Sequence, residues 1–340
     1  MSTNERVDIS TVATEAGTID PVQLALNQKA KLRSKVMQVV PFLGLAFIFI
    51  FCLITTSGGL VSASNLANLV DQCLTITILS VGASFIYACG RMDMSVGGVL
   101  AMSALIMGKM MLLGTVPLPL IILSGIGVAV GIDLALAAIS TYLKVPSFIV
   151  SICIMSICTG IISTTVATEE VRIPYSEYSV YNQPSIRVCV LIAIVIVGLI
   201  IFYKTRLGRD LKAIGGNETA AQQSGVKMGR SILLAFVCLG VCVGIAAFFS
   251  TINSGVVNAS TGSTMGLNII IAIVLGGFPL AGGANAKMVG AIVGALTTVV
   301  LTNGLSLMGL DPSNIFVVKG ILVIAIVAIS YERVKGKEIV

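Results

Sequence analysis

Histidine and tryptophan are absent from this chain, and charged residues make up only 11% of it. Without histidine, the commonest general base and neutral metal ligand is gone. Without tryptophan, the aromatic belt at a membrane interface is left to 7 Tyr and 12 Phe. No P-loop GxxxxGK[ST], no HExxH and no paired carboxylates within an apolar run occur. The chain therefore lacks the signatures of nucleotide hydrolysis and of metal-assisted hydrolysis. The 8 cysteines (Cys52, Cys73, Cys89, Cys153, Cys158, Cys189, Cys238 and Cys242) lie in or beside apolar runs without CxxC spacing. They read as small core residues, not as a metal set. Polar surface is scarce as well: 56% of the residues are hydrophobic, and the mean hydropathy is +1.03. That is too little to cover a soluble globule.

What the chain does have is long apolar runs, several reaching the roughly 20 residues a bilayer requires. They fall near residues 37–56, 72–89, 96–113, 119–141, 146–166, 187–203, 231–251, 266–279, 288–306 and 315–331. The fold class expected is an all-α polytopic membrane protein of about ten transmembrane helices occupying 37–331. The run at 266–279 spans only about 21 Å at 1.5 Å per residue. It either stops part-way or continues as broken helix through GGFPLAGG. Residues 1–36 lack the pattern of a cleaved signal peptide and read as a cytoplasmic tail. Within that tail, Asp20-Pro21 opens a surface helix carrying Lys29, Lys31, Arg33 and Lys35 toward anionic headgroups. Residues 332–340 read as a cytoplasmic C-terminal tail.

Charge asymmetry sets the orientation. With both termini inside, 17 of the 21 Lys and Arg face the cytoplasm, and only Lys109, Arg172, Arg187 and Lys319 lie toward the outer side. The longest outer loop carries Glu169, Glu170 and Glu177, as a ledge for a soluble partner would.

Two Gly-rich interruptions, CGRMDMSVGG from Cys89 and GGFPLAGGANAK from Gly276, occupy corresponding places and suggest two pseudo-repeated halves with broken or re-entrant helices. The alternative reading is close helix packing through small residues, as at Gly290 and Gly294. Pathway and helix-break candidates are Arg91, Asp93, Ser95, Gly97, Asp133, Gly276, Gly277, Gly282 and Gly283. Asp93 either caps the helix that starts near Ser95 or pairs with Arg91. Asp133 lies about 20 Å deep by helical rise and must face the bundle or a wet cavity, or be neutral. Lys319 lies too shallow to reach it and is expected to snorkel outward.

One long polar segment separates the apolar halves: Lys204 to Arg230, KTRLGRDLKAIGGNETAAQQSGVKMGR. It holds six basic residues against Asp210 and Glu218. Gly215 and Gly216 are expected to break a first helix and Asn217 to cap a second one starting at Glu218. Such a short helix can seat in a partner's groove, or it can be an ordinary amphipathic connector.

RLGRDLKAIGGNETAAQQSGVKMGR resembles the cytoplasmic loop of the permease subunits of bacterial ABC importers for ribose and related sugars. IAIVLGGFPLAGGANAKMVGAIVGAL is similar to a second motif of that family and FVVKGILVIAIVAISYERVKGK to its last span, so the likeness runs from about residue 40 to 337. The resemblance implies a coupling loop that contacts a two-domain ABC ATPase, built here from Arg206, Arg209, Asp210, Gly215, Gly216, Asn217, Glu218, Ala220, Ala221, Ser224 and Gly225. It also implies a permease homodimer or heterodimer in the bacterial inner membrane, and an extracytoplasmic sugar-binding protein. ATP and Mg would be held by the ATPase, with no cofactor on this chain and no nucleic acid partner. GRMDMSVGG departs from the family's commoner G-G-I-D-L-S-V-G at Arg91, and Leu136 and Ala137 stand where Asn-Gly is usual. A nucleoside or signalling-carbohydrate permease, a passive facilitator, and an intramembrane enzyme using Asp133 or Asp93 as an acid are the competing readings.

Overall fold

Capping sets where the helices begin. Ser62 accepts a hydrogen bond from the Asn65 amide at 3.4 Å and opens a helix over Ala63–Ala88, nine residues ahead of the expected start at 72. Its first turns are polar, yet they are satisfied. Asn65 Nδ2 donates to the Leu60 carbonyl and to Asn303 Oδ1, each at 2.8 Å, while Asp71 pairs with Arg187. Hydropathy passes over these turns because it cannot see partners that lie far away in sequence.

The computed structural model describes residues 39–167 and 170–331. The expected surface helix near 20–35, the C-terminal tail and Glu169 lie outside the described residues. Contacts divide the chain into Met1–Val40 and Pro41–Val340, and the helical bundle belongs to the second unit. Apart from a single helical turn at Tyr175–Tyr178, the helices in chain order are α1 (Val39–Thr55), α2 (Ala63–Ala88), α3 (Val96–Leu112), α4 (Leu118–Tyr142), α5 (Ser147–Thr165) and α6 (Pro184–Lys204). They continue with α7 (Arg206–Gly216), α8 (Glu218–Gln223), α9 (Met228–Ser254), α10 (Met265–Leu275), α11 (Met288–Leu307) and α12 (Pro312–Tyr331). Prolines begin several of them, α6 and α12 at their first residues and α5 just after Pro146, where a missing N–H costs nothing.

Among the described residues six helices (α2, α4, α5, α6, α9 and α11) are long and apolar enough to cross a membrane, and α1, α3, α10 and α12 supply shorter apolar stretches. The protein is a polytopic α-helical membrane protein. Burial sorts the long helices into two shells: 78% of the apolar stretch of α2, 72% of α11 and 67% of α9 is buried, against 28% of α5 and 17% of α6. The outer shell turns residues such as Ile157, Ile192, Ile196 and Ile200 outward, as hydrocarbon contact requires.

Of the two expectations for the eighth run, the helix stops. α10 ends after 11 residues. Gly277, at φ +65°, lets Phe278 N donate to Ile273 O at 3.0 Å and Gly277 N to Val274 O at 2.9 Å. This paired closure satisfies the last carbonyls and reverses the chain. A non-helical stretch then runs to α11. At the end of the bundle far from the polar segment, Val171–Arg172 and Val256–Val257 form a short antiparallel ladder that ties the loop after α5 to the loop after α9.

Candidate functional site at the polar end of the bundle

The polar segment folds into α7 and α8, joined at Asn217. Leu211 and Ile214 bury one face of α7, and Lys212 Nζ lies 4.4 Å from the Phe202 ring centre and 4.5 Å from that of Tyr203. Asn217 takes an extended conformation, and its Oδ1 accepts from Ala220 N at 3.0 Å, so it caps α8 as its position in the sequence suggested. α8 closes at Gly225, where Val226 N bonds back to Ala221 O at 3.1 Å and Ser224 Oγ donates to Ala220 O at 2.9 Å. Ala221 is buried and Asp210 half-buried, whereas Arg206, Arg209, Glu218, Ser224 and Gly225 are exposed.

Gly215 and Gly216 do not break the first helix: both belong to the last turn of α7. The glycine at 215 serves close approach instead. A Cβ there would collide with the Ala88 carbonyl oxygen and lie 2.6 Å from Gly283 N. Gly216, one residue on, has open space around it.

The first helix break is equally well tied. Gly90, at φ +74°, ends α2, with Arg91 N donating to Ile86 O at 3.1 Å. The amides that follow are taken up by side chains: Met92 N donates to Ser147 Oγ at 3.1 Å and Met94 N to Ser151 Oγ at 3.0 Å, both serines on α5. Ser95 N and Ser95 Oγ each donate to Asp93 Oδ1 at 2.6 Å. Asp93 thus fixes the residue ahead of α3 in an aspartate turn. It does not pair with Arg91, the other reading open to it. The carboxyl of Asp93 is buried and Oδ2 has no partner among the described residues; burial pushes its pKa up to about 6 against the bonds from Ser95. Gly97, on the first turn of α3, leaves room for the Gly262 carbonyl oxygen.

Arg91 points elsewhere. Its Nη2 donates to Glu218 Oε1 on α8 at 3.3 Å and its Nη1 to Ser140 Oγ on α4 at 3.2 Å. The second break comes to the same place. Gly283 N donates to the Ala88 carbonyl at 3.0 Å, and a Cβ on Gly282 would lie 2.5 Å from that oxygen and 2.6 Å from Gly90 N. Gly276, at the end of α10, packs directly on Gly290 of α11. So the end of α7, the turn after α2 and the loop before α11 meet backbone to backbone, with glycine at the contacts. The two groups of residues singled out in the sequence, polar segment and helix breaks, form one constellation.

Two other residues singled out in the sequence make no hydrogen bond to it. Asp133 is fully buried on the α4 face that also holds Ala129, Leu136 and Ser140, and neither carboxyl oxygen has a hydrogen-bond partner among the described residues. It faces the bundle, one of the readings open to it. Lys319 does not snorkel. It is 2% exposed, and its Nζ donates to Asn268 Oδ1 on α10 at 2.8 Å. The expectation measured depth along α12 alone and took no account of α10, whose first turn presents Asn268 to it. Sequence reading also missed the buried Arg187, which bonds Asp71, Asn182 and Asn253, and it missed Ser140, Ser147 and Ser151. The i, i+4 spacing of Ser147 and Ser151 on one helix face, just after a proline, was the available signal.

Among the described residues, nothing in this arrangement assembles a nucleophile, a base and a third orienting group. It is a junction of close backbone contacts at one end of the membrane body. Residues 65–327 match the family model described as "Branched-chain amino acid transport system / permease component", and the chain belongs to that family. It is 31% identical over 325 residues to the ribose import permease protein of Bacillus subtilis (strain 168), covering 92% of this chain and 98% of that one. It is 27% identical to the D-allose transport system permease protein of Escherichia coli (strain K12), over 79% of this chain and 83% of that one. A similar likeness, 26%, holds for the xylose transport system permease protein of Haemophilus influenzae, over 87% and 97% of the respective chains. No solved structure matches.

Proposed function

We propose that this chain is the membrane-spanning subunit of an ATP-binding-cassette importer that passes a ribose-like sugar, pentose or hexose, into a bacterial cell across its inner membrane. The sugar class is supported by the relatives named for ribose, allose and xylose. In this reading ten helices, α1 to α6 and α9 to α12, cross the bilayer in two related halves, with both termini in the cytoplasm. Two permease chains, identical or not, stand on one two-domain ATPase that holds ATP and Mg, and an extracytoplasmic sugar-binding protein delivers the ligand.

The observation that carries the reading is the junction itself. The exposed polar segment that would receive the ATPase, Arg206 to Gly225, is in direct backbone contact with both helix breaks. A push on it is delivered where the membrane helices are already interrupted. The test is co-purification with the ATPase and sugar-stimulated ATP hydrolysis in liposomes. Arg209→Glu on the exposed face of α7 is expected to cut the recovered ATPase about tenfold, the scale of a strong interfacial charge contact. Uphill uptake by this chain alone, or labelling of residue 217 from outside the cell, would overturn the assignment.

A further inference from the structure

Glu218 opens α8 and stands more than half exposed in a segment rich in basic residues, so an outside cation is its obvious partner. Its partner in the fold is internal. Arg91 Nη2 lies 3.3 Å from Glu218 Oε1, and the second arm of the same guanidinium reaches Ser140 on α4. A planar guanidinium bonded at both arms to different helices holds their spacing in a way a lysine cannot. The Arg91 side chain is 19% exposed, so the contact is partly withdrawn from water. Among the described residues no other ion pair joins α8 to the rest of the chain.

The backbone that carries Arg91 is itself fixed. Ser147 and Ser151 of α5 hold the amides of Met92 and Met94, and Asp93 holds that of Ser95 at the start of α3. A displacement of Glu218 thus reaches α4 through Ser140, and α3 and α5 through residues 92–95. The glycine contacts run in parallel, but Gly215 joins α7, and Gly282 and Gly283 the loop before α11, to the same turn, and none of them involves α8. We propose that Arg91 is a positioning residue for coupling: it ties the helix that would be moved by the ATPase to the first helix break, and Glu218 is committed to this chain and not to the ATPase. The proposal rests on the functional reading above.

A charge pair this exposed contributes little to folding, so its loss leaves a folded subunit in which transmission can be measured. The experiment uses the whole transporter, with Arg91→Glu, Glu218→Arg and the double exchange, read by sugar uptake and by ATPase recovery. Each single exchange is expected to lower uptake about tenfold, the scale of ordinary coupling between sites, and Arg91→Glu, which lies outside the ATPase-receiving segment, is expected to leave ATPase recovery unchanged. The double exchange is expected to restore uptake to within about threefold of the parent, because the pair is rebuilt with its charges reversed. Uptake within twofold of the parent in both single variants, or a double variant no better than the poorer single one, overturns the proposal. Loss of the ATPase from Glu218→Arg and its failure to return in the double exchange also overturns it, since Glu218 would then be an ATPase contact. Absence of ATPase from the parent protein would instead overturn the functional reading. The tie is then judged on the purified chain by hydrogen exchange of residues 218–224. Arg91→Ala is expected to speed that exchange about fivefold, and unchanged exchange overturns the tie.

Discussion

The two ends of the bundle are held by different chemistry. At the end bearing α7 and α8, segments meet through bare backbone at Gly90, Gly215, Gly282 and Gly283, with carbonyls and amides at contact distance. Toward the opposite end, long polar side chains fasten one helix to another. Arg187 of α6 grips Asp71 of α2 and Asn253 of α9, Asn65 of α2 and Asn303 of α11 exchange amide bonds, and Lys319 of α12 holds Asn268 of α10. The glycine contacts themselves are intolerant of bulk and nearly indifferent to charge, which at this end is carried beside them by Asp93 and the Arg91–Glu218 pair. A bolt of charged side chains is the reverse. The first suits surfaces that shift against one another, the second a frame that stays put.

The sharpest way to break this comparison is to add bulk to the seam. Gly215→Val should abolish monodisperse protein in size-exclusion chromatography, at a cost above about 4 kcal/mol, because the new side chain strikes the Ala88 carbonyl. Gly216→Ala, in open space in the same helical turn, should change stability by less than about 1 kcal/mol. Next in size is the frame. Asp71→Ala leaves the Arg187 guanidinium buried without its carboxylate and should cost about 3 kcal/mol in detergent unfolding; replacing both residues by leucine should recover most of that.

Asp93 tests the seam from the electrostatic side. Its raised pKa means the buried carboxyl favours the fold fully when protonated, below about pH 4, and loses that advantage as the pH rises through about 6. Asp93→Asn keeps an oxygen for Ser95 and cannot ionise. It should therefore unfold later than the parent at pH 7.5, by on the order of 2 kcal/mol, with the gap closing toward pH 4. A parent protein of constant stability between pH 4 and 7.5 would refute this. The smallest effect belongs to Asn217→Ala: loss of the cap on α8 should cost about 1 kcal/mol, seen as faster protease cleavage between 217 and 225, with the membrane body unaffected.

Much of the frame was legible in the sequence, because apolar length and proline or aspartate punctuation are local signals. The helix breaks after Cys89 and Gly276 and the cap at Asn217 lie where the residues suggested. What the breaks do was hidden, since a glycine needed for close approach looks the same as one that ends a helix. Gly215 owes its identity to Ala88 and Gly283, both far along the chain. The early start of α2 and the burial of Lys319 escaped for the same reason: Asn65 and Lys319 are satisfied by Asn303 and Asn268 across other helices. Polar residues inside a membrane protein can be placed only when their partners are known. Arg91 stood out as a charge beside a glycine, but nothing local announced Glu218 or Ser140 as its partners.

The short closure after α10 has a consequence for how this chain can vary. Between the turn at Gly277 and the contact of Gly283 with Ala88 the loop is tied to itself, Gly282 N donating to Pro279 O at 3.0 Å. One residue gained or lost would rotate a side chain into a space shaped for hydrogen alone. Length there is as constrained as composition, and an insertion scan should find that residues added to this loop abolish folding.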